Sequence, residues 1–295
     1  MNAQAGFDMR WATREDEADI RALVGSVEMP GAVSIRFARE PDYFLGTTIM
    51  GDRCNVLVVR HQDGGQLAGI GCRAEGRAYV NGQETQLGYI GQIRVARSFR
   101  GSWLVQRGAQ RFKEASKPGL LYYGVIATEN PRARKLLTES RVPAGVRVKR
   151  MCGMTTYAIL LRPQGVPRLR GIDVGPGSSQ TMGEIVDFLR GEGPRRQFFP
   201  AYTLADFAGD RRMRGLAAED IMVARRGNKL AGVMAAWDQA SYKQDVVHEY
   251  GPALRRLRPI YDMGARLLGF CAPHSAWGGD TAGIRRLYLH RGGRC

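Results

Sequence analysis

The sequence predicts an α/β fold built on a mixed, mainly antiparallel sheet flanked by helices, followed by a partial second copy. Three observations predict it. Two turn signals, HQDGGQ at 61–66 and Asn81-Gly82, separate apolar runs in the way that joins neighbouring strands antiparallel. Helical apolar spacing lies on both sides of them, at 14–24 and 102–116. Finally, KLAGV at 229–233 echoes QLAGI at 66–70, each after an apolar strand and a polar turn.

Taken in order, residues 9–13 read as a short strand. Residues 14–24 read as a helix, with Ala18, Ile20, Leu23 and Val24 apolar after an acidic first turn. After a loop, 41–49 reads as a second helix. Residues 55–60 and 67–74 flank the first hairpin turn, and 78–87 holds the second. The strand 87–95 then runs through a basic turn, 96–101, into the helix 102–116. LLYYGVIA at 120–127 has the continuous apolar character of a buried strand. Asn130-Pro131 opens another helix, with Asn as N-cap and Pro at the first helical position. Strands over 147–161, broken near Gly153, complete a first domain spanning 1–161.

The stretch 162–179 (RPQGVPRLRGIDVGPGSS) is rich in Pro and Gly and reads as a linker. Residues 180–295 then repeat the opening incompletely. A helix over 182–189 is followed by 202–207, in the style of 41–49. A hairpin over 221–237, a helix over 252–268 and a last strand over 284–290 complete this half. No third strand–turn–helix unit follows.

A net charge of +16, nearly all of it from arginine, favours anionic partners: nucleic acid, a membrane surface or a phosphorylated cofactor. The arginines are dispersed and form no basic tail, and there is no helix-turn-helix or aromatic–basic RNA motif, so nucleic acid is not expected. No run approaches the length of a membrane-spanning helix, and the N-terminus lacks an apolar signal segment, so no membrane association is expected. Five scattered cysteines without CxxC fit reduced thiols in a cytoplasm, and no zinc site is expected.

The chemistry concentrates in IGQIRVARSFRGSWLVQRGAQR, 90–111. A strand feeding a helix through a turn with Arg97, Arg100 and Gly101 presents backbone N–H groups and positive charge to a phosphate. Val95, four intervening residues, then Arg100-Gly101 and a helix start: in this spacing the chain resembles the GNAT superfamily of acyl-CoA-dependent N-acyltransferases. The resemblance covers residues 9 to about 161 in element order. It is sharpest over 93–104 and 130–137, where Asn130, Ala133, Leu136 and Leu137 fit a second signature. The family's phosphate loop has two glycines that fall here on Trp103 and Val105, and its frequent tyrosine acid falls on Leu137.

The resemblance implies transfer of an acyl group, acetyl in the first instance, from acyl-CoA (acetyl-CoA or another) to an amine by direct attack in a ternary complex. It implies that the backbones of Ile93 and Val95, with Arg94 between them, bind the pantetheine arm. Arg100, Gly101, Ser102 and Trp103 would surround the phosphates, and Asn130 would cap the following helix at the cofactor. Glu129, at the end of the strand 120–127, is the candidate general base, and Tyr123, with Tyr89 and Tyr122 as alternatives, the candidate acid. Gln92 is neutral and suits orienting a substrate. Packing on the first half, covering the acceptor cleft and supporting a homodimer are the alternatives for the second half. A non-catalytic acyl-CoA sensor or interaction module is the alternative to an enzyme.

Overall fold

The computed structural model describes residues 6–29, 33–100, 102–128, 130–139, 146–155, 157 and 170–267. The chain opens with β1 (Phe7–Trp11), a 3₁₀ turn and α1 (Glu17–Ser26), then an arm of β2 (Glu28–Met29) and β3 (Val33–Ala38). Three long strands follow, β4 (Arg53–His61), β5 (Leu67–Val80) and β6 (Gln83–Val95), then α2 (Ser102–Glu114), β7 (Tyr122–Tyr123) and α3 (Pro131–Arg134). The second half contains β8 (Asp173–Pro176), α4 (Met182–Glu192), β9 (Ile221–Arg226), β10 (Lys229–Ala235), β11 (Gln244–Tyr250) and α5 (Pro252–Leu267).

The main sheet runs β1-β4-β5-β6-β7, antiparallel throughout except for the parallel pair β6–β7. Asn81 at φ 52° and Gly82 at φ 81° are both left-handed, the turn whose twist matches a tight hairpin, and they join β5 to β6. Alternation along β4 sends Val56 and Val58 to one face and Leu57 and Val59 to the other. The first face packs on Ile20, Leu23 and Val24 of α1, with Tyr43, Ile70 and Cys72. The second packs on α2: Leu104 joins Val59 and Ala68, and Phe112 stacks on Trp11. Each fully buried aliphatic side chain here stabilises the fold by about 1.5–3 kcal/mol.

Asp16 ties α1 to this sheet. Its carboxylate, 1% exposed, accepts both Arg10 guanidinium nitrogens at 2.7 and 2.9 Å, two from Arg60 at 2.8 and 3.1 Å, and the Thr13 N–H at 2.9 Å. Burial alone raises a carboxyl pKa; Arg10, the Thr13 N–H and Arg60 outweigh it and hold Asp16 well below the ordinary aspartate range.

In the second half, β8, β9 and β10 form their own sheet, with Ile185 of α4 packed on Ile221 and Val223. Strand β11 leaves that sheet and pairs antiparallel with β3, Gln244 opposite Ala38 and Tyr250 opposite Val33. The buried Gln244 amide completes the join, accepting from Glu40 N at 3.0 Å and donating to Glu40 O at 2.9 Å. Nearby, residues 198–201 lie along the end of β5, with Phe198 N bonded to Tyr79 O and Ala201 N to Arg77 O.

Several expectations are corrected. The second helix over 41–49 is a single 3₁₀ turn, Tyr43–Thr47, because Gly46 and the β-branched Thr47 and Thr48 disfavour a longer run. The region read as a loop before it contains β2 and β3, whose partner β11 lies some 200 positions away in sequence. The strand over 120–127 shrinks to Tyr122–Tyr123, and 146–155 carry no regular structure where strands were expected. Part of the expected linker, Asp173–Pro176, is strand β8; it lies at a sheet edge, where proline is tolerated. The expected strand 284–290 lies outside the described residues.

Candidate functional site

The site is built around an irregularity in β6. The β5–β6 register shifts between Ile70 and Cys72, which pair with Arg94 and Gly91, so an extra residue is inserted on β6. Gln92 takes the strain, at φ 53°, and its buried Oε1 has no hydrogen-bond partner. The bulge also reverses the alternation. Before it, Tyr89 and Gly91 share the α1 face with Cys72; after it, Arg94 does. Ile93 and Val95 turn to the α2 face, where Ile93 and Phe112 both close on Gly71 and Val95 packs near Val59 and Ala68.

Beside the bulge the sheet parts. Strand β7 pairs with β6 only at Gly88–Tyr122 and Tyr89–Tyr123. At Gly124 a Cβ would lie 2.8 Å from the Ile90 carbonyl oxygen, and among the described residues no strand lines β6 beyond that point. Among the described residues the edge from Gly91 to Val95 therefore has no strand partner for its backbone groups.

Three tyrosines border the parting. Tyr122 belongs to a structural network: its hydroxyl donates to Glu75 Oε1 at 3.0 Å and accepts from Arg73 Nε at 2.8 Å, and Arg73 also pairs with Glu75. Tyr123 points the other way, 5.2 Å from the Tyr89 ring and stacked at 5.5 Å on Phe198 from the second half. The Tyr89 hydroxyl lies directly over Gly91, where a Cβ would sit 2.1 Å from it, so only glycine leaves room for the ring at the bulge. Burial raises the pKa of both Tyr89 and Tyr123, which keeps each a proton donor. Tyr89 is thus the tyrosine that stands at the bulge itself. Glu129 lies outside the described residues.

At the end of β6, a 3₁₀ turn at Arg97–Phe99 leads through Arg100 into α2. Arg97 and Arg100 are exposed, and Arg100 has no carboxylate within ion-pair distance among the described residues. Gly101 lies outside the described residues, and Ser102 is the first residue of α2. The Trp103 indole packs edge-on against Phe7, 4.9 Å between ring centres, within the cluster of Val95, Phe99 and Leu104. Its bulk is thereby absorbed by β1. Asn130 caps α3 as expected, its Oδ1 accepting from Ala133 N at 2.9 Å, and Leu137 lies in the π-type turn that continues that helix.

Two residues that the sequence did not single out complete the surroundings. Phe37, on β3, and Arg39, just past its end, meet Arg94, and both guanidiniums lie over the Phe37 ring, at 5.5 and 5.6 Å. Burial pushes both arginine pKa values below the ordinary value. Arg94, expected beside the cofactor, thus turns its side chain to the arm. No helix among the described residues is long and apolar enough to cross a membrane, and no group of His, Cys, Asp and Glu among them could hold a metal ion.

No family model and no curated protein matches this chain. Solved structures similar to it include a Trypanosoma brucei acetyltransferase at 16% identity and a TM-score of 0.35, covering 51% of this chain and 99% of that one. Glucosamine-6-phosphate N-acetyltransferase from Arabidopsis thaliana, at 17% and 0.35, covers 50% of this chain and 97% of its own. Saccharomyces cerevisiae N-myristoyltransferase with bound myristoyl-CoA, at 11% and 0.45, covers 83% of this chain and 65% of its own.

Proposed function

We propose that this protein is an acyl-CoA-dependent N-acyltransferase that transfers an acyl group, acetyl in the first instance, to an amine. The observation that carries the reading is the bulge at Gln92 on the open edge of β6, with the N-terminus of α2 at one end of the cleft and Tyr89 at the other. An extended thiol arm bearing amides suits such an edge, because it supplies the donors and acceptors that β7 withholds. The orphaned Gln92 Oε1 gives it one further acceptor. Arg97, Arg100 and the first N–H groups of the thirteen-residue α2 suit the phosphates, and the packing of Trp103 on Phe7 removes the steric objection to them there.

In this reading the thioester carbonyl lies against a backbone N–H of the bulge, which stabilises the negative charge that develops on oxygen. The amine nitrogen attacks the carbonyl carbon, the C–S bond breaks, and the proton lost by nitrogen ends on the thiolate. Tyr123 or Tyr89 hands that proton on, and Glu129 is the proposed base. The domain division at 161 and 180 is part of the proposal, as is descent of residues 180–295 from a partial repeat. That half covers the acceptor side of the cleft through Phe198 and through β11 behind the β3 arm.

Leu137 in place of a tyrosine favours one second reading, a binding protein that holds acyl-CoA without turning it over. Thiol release from acetyl-CoA in the presence of a panel of amines separates the two. Amine-dependent release is expected for the enzyme, and acyl-CoA binding without release would establish the sensor.

A further inference from the structure

The pairing of β3 with β11 and the bulge in β6 together bring two arginines to one phenylalanine ring. Phe37 lies on β3, and Arg39 follows directly after its last residue, Ala38. Along β6 the inserted residue turns Arg94, which would otherwise face α2, onto the face occupied by Tyr89 and Gly91. The result is a guanidinium–phenyl–guanidinium cluster beside the bulge.

The cluster lacks the partners that buried cations ordinarily have. Arg39 is 3% exposed and donates to its neighbour's carbonyl, Ala38 O, at 2.6 Å. Arg94 is half-buried and donates to Ile93 O at 3.0 Å, while its buried Nε has no partner. Neither forms an ion pair with a carboxylate among the described residues. Glu40 is engaged by Arg21, and Asp245, across the ladder from Phe37, is exposed and beyond ion-pair distance. Of the remaining neighbours, burial raises the pKa of Tyr43 and Tyr89 and keeps them neutral, while the hydrogen bond with Cys54 and the fields of Arg94 and Arg39 lower that of the Cys72 thiol. Two buried like charges without a carboxylate counter-ion oppose folding, and an anion bound at the cluster offsets that cost.

We propose that Arg39 and Arg94 form the recognition site for a carboxylate on the acceptor, so that the acceptors are carboxylate-bearing amines of the amino-acid or short-peptide class. The guanidinium fork matches a planar carboxylate. Arg94 stands two residues beyond Gln92 and on the Tyr89 face, so a short molecule held there by its carboxylate brings its amine to the bulge. The inference rests on the acyl-transfer reading above and adds the acceptor class to it.

The test uses the full chain with acetyl-CoA and matched acceptors: leucine against isoamylamine, phenylalanine against phenethylamine, and glycylglycine, with a phosphate-bearing amine (phosphoethanolamine) and succinyl-CoA as further arms. Thermal shift without acyl-CoA reads binding, and thiol release reads turnover. The carboxylated acceptors are expected to raise the melting temperature and to be used at least about 10-fold better than their decarboxylated partners, the worth of one charge-assisted hydrogen bond. Arg39→Met and Arg94→Met are expected to raise KM for them about 10- to 100-fold, leaving acetyl-CoA binding intact and the ligand-free melting temperature undiminished. Arg94→Lys, which keeps the charge, is expected to recover part of the preference and covers the case in which a Met variant does not fold.

Equal use of amines with and without the carboxylate, while acetyl-CoA still binds, overturns the inference and leaves the acyl-transfer reading standing. Preference for phosphoethanolamine, or for succinyl-CoA over acetyl-CoA irrespective of acceptor, also overturns it, the second by placing the anion on the donor. No acetyl-CoA binding, but carboxylate stabilisation that Arg94→Met abolishes, would overturn the acyl-transfer reading and support the anion site.

Discussion

Replacing Gln92 by glycine separates what this residue costs the fold from what it gives the site. A non-glycine residue in the left-handed region costs about 1–2 kcal/mol, and Gln92 sits at φ 53°. A buried acceptor without a partner costs about 1–3 kcal/mol more, and Oε1 is such an atom. Glycine relieves both and returns only about 0.5–1 kcal/mol through its greater unfolded-chain entropy. Gln92→Gly is therefore expected to stabilise the ligand-free protein by roughly 1–4 kcal/mol, a rise of several degrees in Tm for a chain of this size. Acyl-CoA, in contrast, loses the acceptor offered to it, and its affinity falls by about 2- to 10-fold, the value of one neutral hydrogen bond. Calorimetric melting of both proteins with and without acetyl-CoA reads both effects. A ligand-free Tm below that of the parent would show that Gln92 does not strain the fold, and an acetyl-CoA shift as large as the parent's that its amide does not bond the ligand.

Three further outcomes follow from particular contacts. Asp16→Asn strands the Arg10 and Arg60 guanidiniums; because these are 40% and 20% exposed, the loss falls at the low end of the buried-pair range, about 3 kcal/mol, read by urea unfolding. Since the Asp16 pKa is depressed in the fold, its contribution is fully present above the ordinary aspartate value of about 3.9 and is lost as pH falls below it, so the variant's acid unfolding is shallower than the parent's. Gly88→Ala places a Cβ 2.2 Å from the Tyr122 ring, which must shift and disturb its bonds to Arg73 and Glu75, at a cost of about 1–3 kcal/mol and of the β6–β7 pairing that opens the cleft. Arg100→Gln is expected to weaken acetyl-CoA binding about 3- to 10-fold in calorimetric titration at low salt and less at high salt, because Arg100 is exposed and its field is screened.

The main sheet was legible because its signals are local. The Asn81-Gly82 turn fixes the register of β5 and β6, and alternation along β4 assigns Val56 and Val58 to one helix and Leu57 and Val59 to the other. The Asn130 cap was legible for the same reason. The β3–β11 ladder was not, since Val33–Ala38 is a strand only by virtue of a partner in the other half of the chain. The bulge escaped too: Gln92 reads as an ordinary strand residue, and only the register shows that Arg94 faces Phe37 rather than the turn at 97–99. Nothing local marks Phe37 and Arg39 as neighbours of the site beyond an arginine that closes a short apolar run, SIRFAR. Trp103 was legible as a departure from a glycine, and its harmless destination on Phe7 was not, because that contact depends on β1.

Titration of the protein with acetyl-CoA asks whether the parted edge of β6 is an acyl-CoA site. Saturable binding is expected, with a rise in Tm that grows with the logarithm of ligand concentration and reaches about 2.7 kcal/mol of stabilisation at a hundredfold excess over Kd. Gln92→Gly and Arg100→Gln should each reduce it. Absence of any shift with either acetyl-CoA or myristoyl-CoA up to millimolar concentration would show that this edge does not bind acyl-CoA.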